Sequence, residues 1–258
     1  MITKEELEEY STYRDKYQIE KDYLQDLILS SIYSNTTDEF VFKGGTAISK
    51  FYHSDRFSED LDFSSKRIDE AEAKRLIDLA LKSIQYTARY INEPSINKFG
   101  TIEAAINIEG PRYNGRQSTL QKISFKINTN AVLIENAVPM PRNPIYADAK
   151  NYVALVMDKR EILAEKFRAL VSAGRKHKER DLYDIYYLLG KGASINRGLV
   201  LKKLDESEID FSDKELLECI GNVQATWKTL QPFVQHTLEE YEHVSGTVIS
   251  AMKKDRLL

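Results

Sequence analysis

The sequence predicts an α+β fold, with strands and helices in the first half of the chain and helices alone in the second. Segments with strand character occur only before three closely spaced prolines, at positions 139, 141 and 144. Beyond them, apolar residues recur at the spacing of amphipathic helices. At 258 residues the chain is long enough for one large domain or two small ones. We expect one domain over residues 1–145 and a second over 146–258.

Each element follows from the spacing of apolar residues and from the turn residues between the runs. Helical spacing predicts an early helix over 19–33 and a long amphipathic helix over 69–90. Strands are predicted at 40–42, 59–64, 99–109 and 119–129. A glycine turn after the first strand leads into a helix that starts near Thr46. In the second half, helices are predicted at 158–173, 179–190, 197–206, 213–226 and 228–253.

Composition and charge limit the classes of function. The chain has 42% hydrophobic and 30% charged residues, which is typical of a soluble globular protein. Its net charge of −3 gives no overall positive field for nucleic acid, so a polyanion must be bound by a local group of basic residues. No stretch approaches the roughly 18 apolar residues of a membrane span, and the N-terminus MITKEELEEY lacks the apolar stretch of a signal peptide. We therefore expect a cytoplasmic protein with no membrane partner.

The segment RFSEDLDF, residues 56–63, carries the first candidate for chemistry. Side chains of an extended chain alternate between two faces, so Asp60 and Asp62 project together, while Leu61 and Phe63 project to the other side. Two neighbouring carboxylates repel each other unless a positive group lies between them, and Mg²⁺ or Mn²⁺ is a natural candidate. The alternative is a half-buried strand whose polar face contacts only water.

The second candidate is the turn FKGGTAI, residues 42–48, between a predicted strand and a predicted helix. Paired glycines let backbone N–H groups face outward, and a helix N-terminus adds the positive end of its dipole, so the turn is suited to a phosphate group. Thr46 can cap the helix or bind a phosphate oxygen, and Lys43 can add a positive charge. The segment does not have the spacing of a Walker A loop. The alternative is a turn with a structural role only.

Together the two segments supply both halves of a nucleotide–metal site. The turn binds the triphosphate of an NTP, and the carboxylates hold the metal ion. In-line nucleotidyl or phosphoryl transfer needs both, because the metal neutralises the charge on the transferred group. The predicted nucleotide-binding residues are Lys43, Gly44, Gly45, Thr46, Arg56 and Ser58.

Four segments in order, FKGGTAI, RFSEDLDF, EILAEKFRAL and ERDLYDIYYLL, resemble the AbiEii/AbiGii-type nucleotidyltransferase toxins, a branch of the DNA polymerase β-like nucleotidyltransferase superfamily. The resemblance implies a nucleotidyltransferase-like mixed β-sheet flanked by helices, followed by a C-terminal helical bundle. It also implies a toxin of a bacterial toxin–antitoxin or phage-defence pair, with a cognate antitoxin as partner. Such a toxin transfers a nucleotide from an NTP to RNA, and tRNA is the expected acceptor.

The resemblance also assigns residues. The metal-binding carboxylates fall on Asp60 and Asp62, and Lys166 and Asp181 of the helical half complete the expected catalytic set. Asp184 lies near the same helix face as Asp181, so one of the two completes the active site while the other holds Arg180 or a helix end. The resemblance favours Asp181 for the active site.

A basic strip accompanies these residues. Positions 159–180 contain eight Lys or Arg against three Glu, which concentrates positive charge in an acidic chain. Such a strip can bind an RNA backbone, and the alternative is an ordinary solvated helix face. The residues predicted to contact RNA are Arg168, Arg175, Lys176 and Lys178.

One strand departs from the family pattern. Polymerase β-like enzymes carry a further acid on a later strand, whereas KISFKINTN, residues 122–130, has none. Either Asp181 substitutes, or two acids hold the metal, or the alignment of this strand is off, with Glu103 and Glu109 as other acids. The gap keeps two alternatives to an RNA-modifying enzyme open. These are a small-molecule nucleotidyl- or phosphotransferase and a catalytically inactive nucleotide-binding module.

Overall fold

The structure is a computed structural model that describes residues 1–36, 40–130, 133–210 and 212–258. The chain divides into two compact units. Unit 1 comprises Met1–Phe51, Phe57–Val132 and Ala137–Val156. Unit 2 comprises Tyr52–Arg56, Leu133–Asn136 and Met157–Leu258.

In the described part of unit 1, seven strands form one sheet. They are β1 (Val41–Lys43), β2 (Leu61–Ser64), β3 (Ala88–Ile96), β4 (Thr101–Ile108), β5 (Gln121–Asn128), β6 (Val138–Arg142) and β7 (Tyr152–Val156). Their order across the sheet is β3-β4-β5-β2-β1-β7-β6. The pairs β2/β5 and β1/β7 are parallel and the other neighbours are antiparallel, so the sheet is mixed, as the family resemblance implies.

The short strands β1 and β2 lie at the centre of the sheet and are anchored by aromatic packing. Phe42 and Phe63 are fully buried, and their ring centroids are 5.1 Å apart. Leu61 is also fully buried. Because side chains alternate along a strand, this packing directs Asp62 to the opposite face of β2.

Four helices accompany the sheet: α1 (Lys4–Glu9), α2 (Lys16–Asn35), α3 (Gly44–Tyr52) and α4 (Glu70–Ser83). Asp15 caps α2, because its side chain accepts a hydrogen bond from the Tyr17 N–H. The helix packs against β5, β7 and α4 and is buried over most of its length. Several polar side chains of α2 therefore have their partners inside unit 1, and three of them, Asp22, Gln25 and Asp26, support the candidate site.

Unit 2 is helical. Its helices are α5 (Lys159–Val171), α6 (Lys178–Gly190), α7 (Arg197–Asp205), α8 (Asp213–Val223), a 3₁₀ helix (Gln224–Phe233) and α9 (Tyr241–Lys254). Helix α5 packs against α6, α7 and α8, and α6 packs against α8, α9 and the 3₁₀ helix. Within the described residues of both units, every helix is too short or too polar to span a lipid bilayer.

The predictions fail at two strands that contain proline, β3 and β6. The helix predicted over 69–90 gives way to β3, which contains Pro94, and β6, which contains Pro139 and Pro141, was not predicted at all. Both are edge strands among the described strands, and an edge strand tolerates a residue without an N–H because one of its sides has no ladder to complete.

The domain boundary also differs from the expected one. Residues 146–156 were assigned to the second domain, but they lie in unit 1 because β7 pairs in parallel with β1, Val156 opposite Phe42. A five-residue apolar run such as YVALV cannot be told from part of a helix by periodicity alone. The helix predicted over 228–253 is wrong for another reason. Pro232 cannot continue an α-helix, and the chain forms a 3₁₀ helix there before α9 begins.

Candidate active site

The predicted carboxylates lie at the start of β2, in the middle of the sheet. Asp62 is in the strand and Asp60 immediately precedes it. Asp62 is the direct cross-strand partner of Lys43 on β1 and of Lys126 on β5. Direct partners project from the same face of a sheet, so Asp62 is flanked by two lysines.

Two side chains from helices bind the backbone of residues 58–60 and hold it in place. Gln25, which is buried in α2, donates from Nε2 to the carbonyl oxygens of Ser58 and Glu59, both at 3.0 Å. Thr46 of α3 donates its hydroxyl to the carbonyl oxygen of Asp60 at 2.5 Å. These bonds hold the acidic segment against α2 and α3, so Asp60 has a fixed backbone although it precedes the strand.

Glycine is required where α3 begins. Gly44 has a φ of +75°, in the region that residues with a Cβ rarely adopt. A Cβ at this position would also collide with the Asp62 carboxylate. The first N–H groups of a helix have no partner within the helix and carry the positive end of its dipole. Unit 1 therefore brings the predicted phosphate turn, which continues through Gly45 and Thr46, next to the predicted carboxylates.

A lysine stands on β5, the strand in which the resemblance led us to expect a further acid. Lys126 donates from Nζ to Asp60 Oδ2 at 2.9 Å, and both side chains are a little under half exposed. Glu103, one of the two other acids considered, is the cross-strand partner of Lys126 on β4 and accepts a hydrogen bond from Asn97. Glu109 lies just beyond the end of β4.

The acidic pair fits a divalent cation that brings ligands of its own. In the described ranges, no group of three or more His, Cys, Asp or Glu is placed to hold a metal ion. Magnesium is commonly bound by one or two carboxylates and completes its shell with water and substrate phosphates. Asp60 and Asp62 supply that number, and glycine at position 44 keeps open the space beside Asp62 that a Cβ would fill. The donor set therefore suits Mg²⁺ or Mn²⁺ bound together with nucleotide phosphates.

A buried ion cluster fixes α3 to α2. Lys50 of α3 lies 2.6 Å from Asp22 and 3.2 Å from Asp26, and Arg142 of β6 bonds Asp26 at 2.9 Å. Burial alone raises the pKa of Asp26, but Lys50 and Arg142 outweigh it, so this pKa lies below its ordinary value. The Asp26 carboxylate is therefore ionised at neutral pH, and the cluster sets the position of the helix that carries Gly44.

A second cluster lies in unit 2 and joins Arg56, Lys166 and Asp181, three of the predicted site residues. Asp184 accepts two hydrogen bonds from Arg56, both at 2.8 Å, and lies 2.7 Å from Lys166 Nζ. Asp181 accepts from Lys166 at 3.0 Å and from Arg175 at 2.8 Å. Both carboxylates are fully buried. Each of them therefore binds basic residues in the folded chain.

Burial and charge act in opposite directions on this second cluster. Burial by itself raises the pKa of Asp181, but Lys166 and Arg175 outweigh it and this pKa lies below its ordinary value. Burial lowers the pKa of Lys166, whereas Asp184 and Asp181 raise it, and the result lies above the ordinary value. The same balance with Asp184 raises the pKa of Arg56. All three groups are consequently charged at neutral pH.

Part of the predicted basic strip forms ion pairs within unit 2. Arg168 donates two hydrogen bonds to Glu165, and Arg175 bonds Asp181. Lys178, at the start of α6, approaches the Cys219 thiol at 3.6 Å, and Lys176 is exposed between α5 and α6.

Sequence reasoning did not identify Gln25, Lys50 or Lys126 as site residues. Gln25 and Lys50 are polar residues on buried helix faces, a pattern that indicates a buried partner but does not identify it. For Lys126 the available signal was a basic residue in the strand where a further acid was expected and none is present.

Comparison with known proteins decides the family. The protein-family model described as nucleotidyl transferase AbiEii toxin, type IV toxin–antitoxin system, matches residues 27–241 of the chain. The chain belongs to this family. It is thus a nucleotidyltransferase toxin of a type IV toxin–antitoxin system, with an NTP as substrate and a cognate antitoxin, as the four sequence segments implied. No curated protein sequence matches the chain.

Solved structures share the fold at low sequence identity. The nucleotidyltransferase toxin MenT4 of Mycobacterium tuberculosis has a TM-score of 0.55 at 17% identity, over 93% of this chain and 76% of that one. A candidate nucleotidyltransferase of Helicobacter pylori has a TM-score of 0.60 at 16% identity, over 95% and 97% of the two chains. JHP933 of Helicobacter pylori has a TM-score of 0.55 at 14% identity, over 95% and 94%. These likenesses confirm the predicted fold class.

Proposed function

We propose that this toxin transfers a nucleotide from an NTP to an RNA acceptor, with tRNA as the acceptor class, and that transfer depends on Mg²⁺ or Mn²⁺ at Asp60 and Asp62. The observation that carries the proposal is the close approach of the Asp62 carboxylate to Gly44, where an added Cβ would collide with it. A phosphate-binding turn and a metal-binding carboxylate are needed side by side, because the ion in such sites also binds the substrate phosphates.

Residues of unit 1 have distinct roles in this proposal. The backbone of Gly44 and Gly45 and the side chain of Lys43 bind the triphosphate, and Ser58 adds a polar contact. Thr46 acts through its hydrogen bond to the Asp60 carbonyl, which holds the acidic segment in place. When bound, the metal ion neutralises charge on the transferred phosphoryl group and activates the attacking hydroxyl.

Residues of unit 2 enter the proposal through their positions in the family's motifs. We assign Lys166 and Arg56 to the triphosphate and Asp181 to the role of auxiliary acid or base. These side chains are also bonded to one another or to Asp184. A loss of activity on substitution therefore needs a parallel measurement of stability before a chemical role is assigned.

The basic strip is proposed to bind the RNA backbone. Within the described residues, Lys176 and Lys178 form no ion pair with a carboxylate, so their charges suit phosphate contacts. Arg168 and Arg175 are assigned to the same RNA-binding surface because the segment is basic overall, and each of them is also ion-paired within unit 2.

The proposal is tested by incubating the purified toxin with each of the four α-³²P-labelled NTPs, Mg²⁺ and total tRNA, beside Asp62→Asn. We expect label on RNA with a preferred NTP, loss of label on adding a chelator, and no label with the variant. NTP binding without labelled RNA would contradict the proposal. A γ-labelled NTP and small-molecule acceptors would then separate phosphoryl transfer and small-molecule modification from a binding module without turnover.

A cellular test addresses toxicity and phage defence. Expression of the toxin without its antitoxin is expected to arrest growth, and Asp60→Ala is expected to abolish the arrest. Cells carrying the toxin–antitoxin pair are expected to lower phage plating efficiency, and the same variant in the pair should restore it. Unchanged arrest by Asp60→Ala would refute toxicity through catalysis.

A further inference from the structure

Lys126 is hydrogen-bonded to one of the carboxylate oxygens that a metal ion would need as a ligand. Its ammonium bonds Asp60 Oδ2 at 2.9 Å, and its Cα is the direct cross-strand partner of Asp62. An ammonium on a carboxylate supplies part of the charge that a divalent cation would supply. Both cannot bind the same oxygen in the same direction, so Lys126 and the ion compete for Asp60.

The exposure of this ion pair allows the exchange. Asp60 is 41% exposed and Lys126 is 45% exposed, so water can replace either partner when they separate. Ion pairs with this exposure contribute little to stability. The lysine side chain is also long and flexible, so its ammonium can move to a nearby anion without movement of the strand.

We propose that Lys126 is an internal competitor of the divalent cation: it neutralises the acidic pair while no nucleotide is bound and moves to the nucleotide phosphates when the ion binds. The consequence is that the metal enters this site together with the NTP and binds weakly alone. The inference rests on the proposed function, because it concerns the same two carboxylates.

The test is a Mn²⁺ titration of the nucleotide-free protein by calorimetry and electron paramagnetic resonance. Replacing Lys126 by glutamine removes the competing charge, so Lys126→Gln is expected to lower the Kd for Mn²⁺ roughly tenfold. Lys126→Glu adds an acid and is expected to lower the Kd further. Lys126→Arg keeps the charge and is expected to stay near the wild-type value.

The matched control is Lys122→Gln. Lys122 lies on β5 on the same face as Lys126 and faces Asn107 across the ladder, so its substitution removes an equal charge at a different place. It is expected to leave the Kd for Mn²⁺ unchanged. A non-hydrolysable NTP added to both Lys126→Gln and wild type is expected to shrink the difference between them, because the phosphates then hold the ammonium away from Asp60.

A wild-type or weaker affinity of Lys126→Gln for Mn²⁺, in a variant with a wild-type Tm, would overturn the inference. Asp62→Asn shows which claim has failed. If Asp62→Asn loses Mn²⁺ binding while Lys126→Gln binds as the wild type does, only the inference is wrong. If Asp62→Asn binds Mn²⁺ as tightly as the wild type, the metal assignment in the proposed function is wrong, and the inference falls with it.

Discussion

The acidic pair of unit 1 and the ion network of unit 2 use the same kinds of residue but differ in their access to water. Asp60 and Lys126 are each more than 40% exposed, whereas Asp181 and Asp184 are not exposed at all. A charge that exchanges its partner for a ligand must stay hydrated in between, since burying it unpaired is very costly. A charge that holds helices together can be buried permanently.

This difference shows what a substitution can reveal in each place. Removing a carboxylate of the acidic pair takes away a proposed metal ligand and, because both groups are only partly buried, is expected to leave the fold nearly unchanged. Removing a carboxylate of the buried network leaves basic groups buried without a counter-charge. Loss of activity is therefore direct evidence of chemistry at Asp60 and Asp62, but at Asp181 and Lys166 it reports on folding as well.

The largest effect on stability is expected for Asp184→Ala. The substitution leaves Arg56 and Lys166 buried without this carboxylate, which should cost about 3–5 kcal/mol in the free energy of unfolding. Urea denaturation measures it. Asp205→Ala, at an exposed position of α7, is the control and should change stability by less than about 0.5 kcal/mol. A loss below about 1 kcal/mol for Asp184→Ala would contradict the claim that the ion network of unit 2, unlike the acidic pair of unit 1, stabilises the fold.

Gly44→Ala is expected to have the next largest effect, because alanine is strained at this φ and its Cβ meets the Asp62 carboxylate. We expect a loss of about 2–3 kcal/mol in the free energy of unfolding. Gly115→Ala is the matched control, since Gly115 has a φ of +88° and no described atom lies within 4 Å of an added Cβ. The control should lose only about 1 kcal/mol, from the backbone alone. Equal losses would mean that the approach of Asp62 does not matter.

A smaller effect is expected in the pH dependence of stability. The pKa of Asp181 is lowered in the folded chain, by Lys166 and Arg175 acting against burial. Its stabilising contribution is therefore present above its unfolded pKa of about 3.9 and is lost as the pH falls through the folded value. Denaturation between about pH 6 and pH 2.5 should show a shallower acid loss in Asp181→Asn than in wild type. Asp205→Asn should keep the wild-type slope, and an unchanged slope in Asp181→Asn would contradict this account.

The smallest effect is expected in the basic strip. Lys176→Ala combined with Lys178→Ala should weaken RNA binding several-fold and reduce the salt dependence by about one to two released counterions. Fluorescence anisotropy with labelled tRNA at several salt concentrations measures both quantities. Stability should stay near the wild-type value because both side chains lie at the surface or near it. Unchanged affinity and slope would show that RNA is bound elsewhere.

Local pattern predicted much of the fold, and its failures have physical causes. The strands β2, β4 and β5 and the helices α5 to α8 follow from alternation and helical spacing, which depend on near neighbours. The edge strands β3 and β6 were missed because their prolines are ordinary turn signals, and only the finished sheet shows that these positions are edges.

The site divides in the same way. The acidic pair and the glycine turn were found because each is a short motif within one segment. The bonds of Gln25 to the acidic segment and of Lys126 to Asp60 were not found, because they join residues 33 or 34 and 66 positions apart along the chain. Such pairs are created by the sheet order and leave no periodic trace in the sequence.

The most direct test of the central claim is the rate of nucleotide transfer per folded molecule for Asp62→Asn. The measurement is made at a temperature at which unfolding curves show wild type and variant both fully folded. We predict that transfer falls about a thousandfold, because metal-assisted charge stabilisation contributes several kcal/mol. The free energy of unfolding should stay within about 1 kcal/mol of the wild-type value, since Asp62 is only partly buried. Transfer within tenfold of wild type would contradict the assignment of chemistry to the acidic pair.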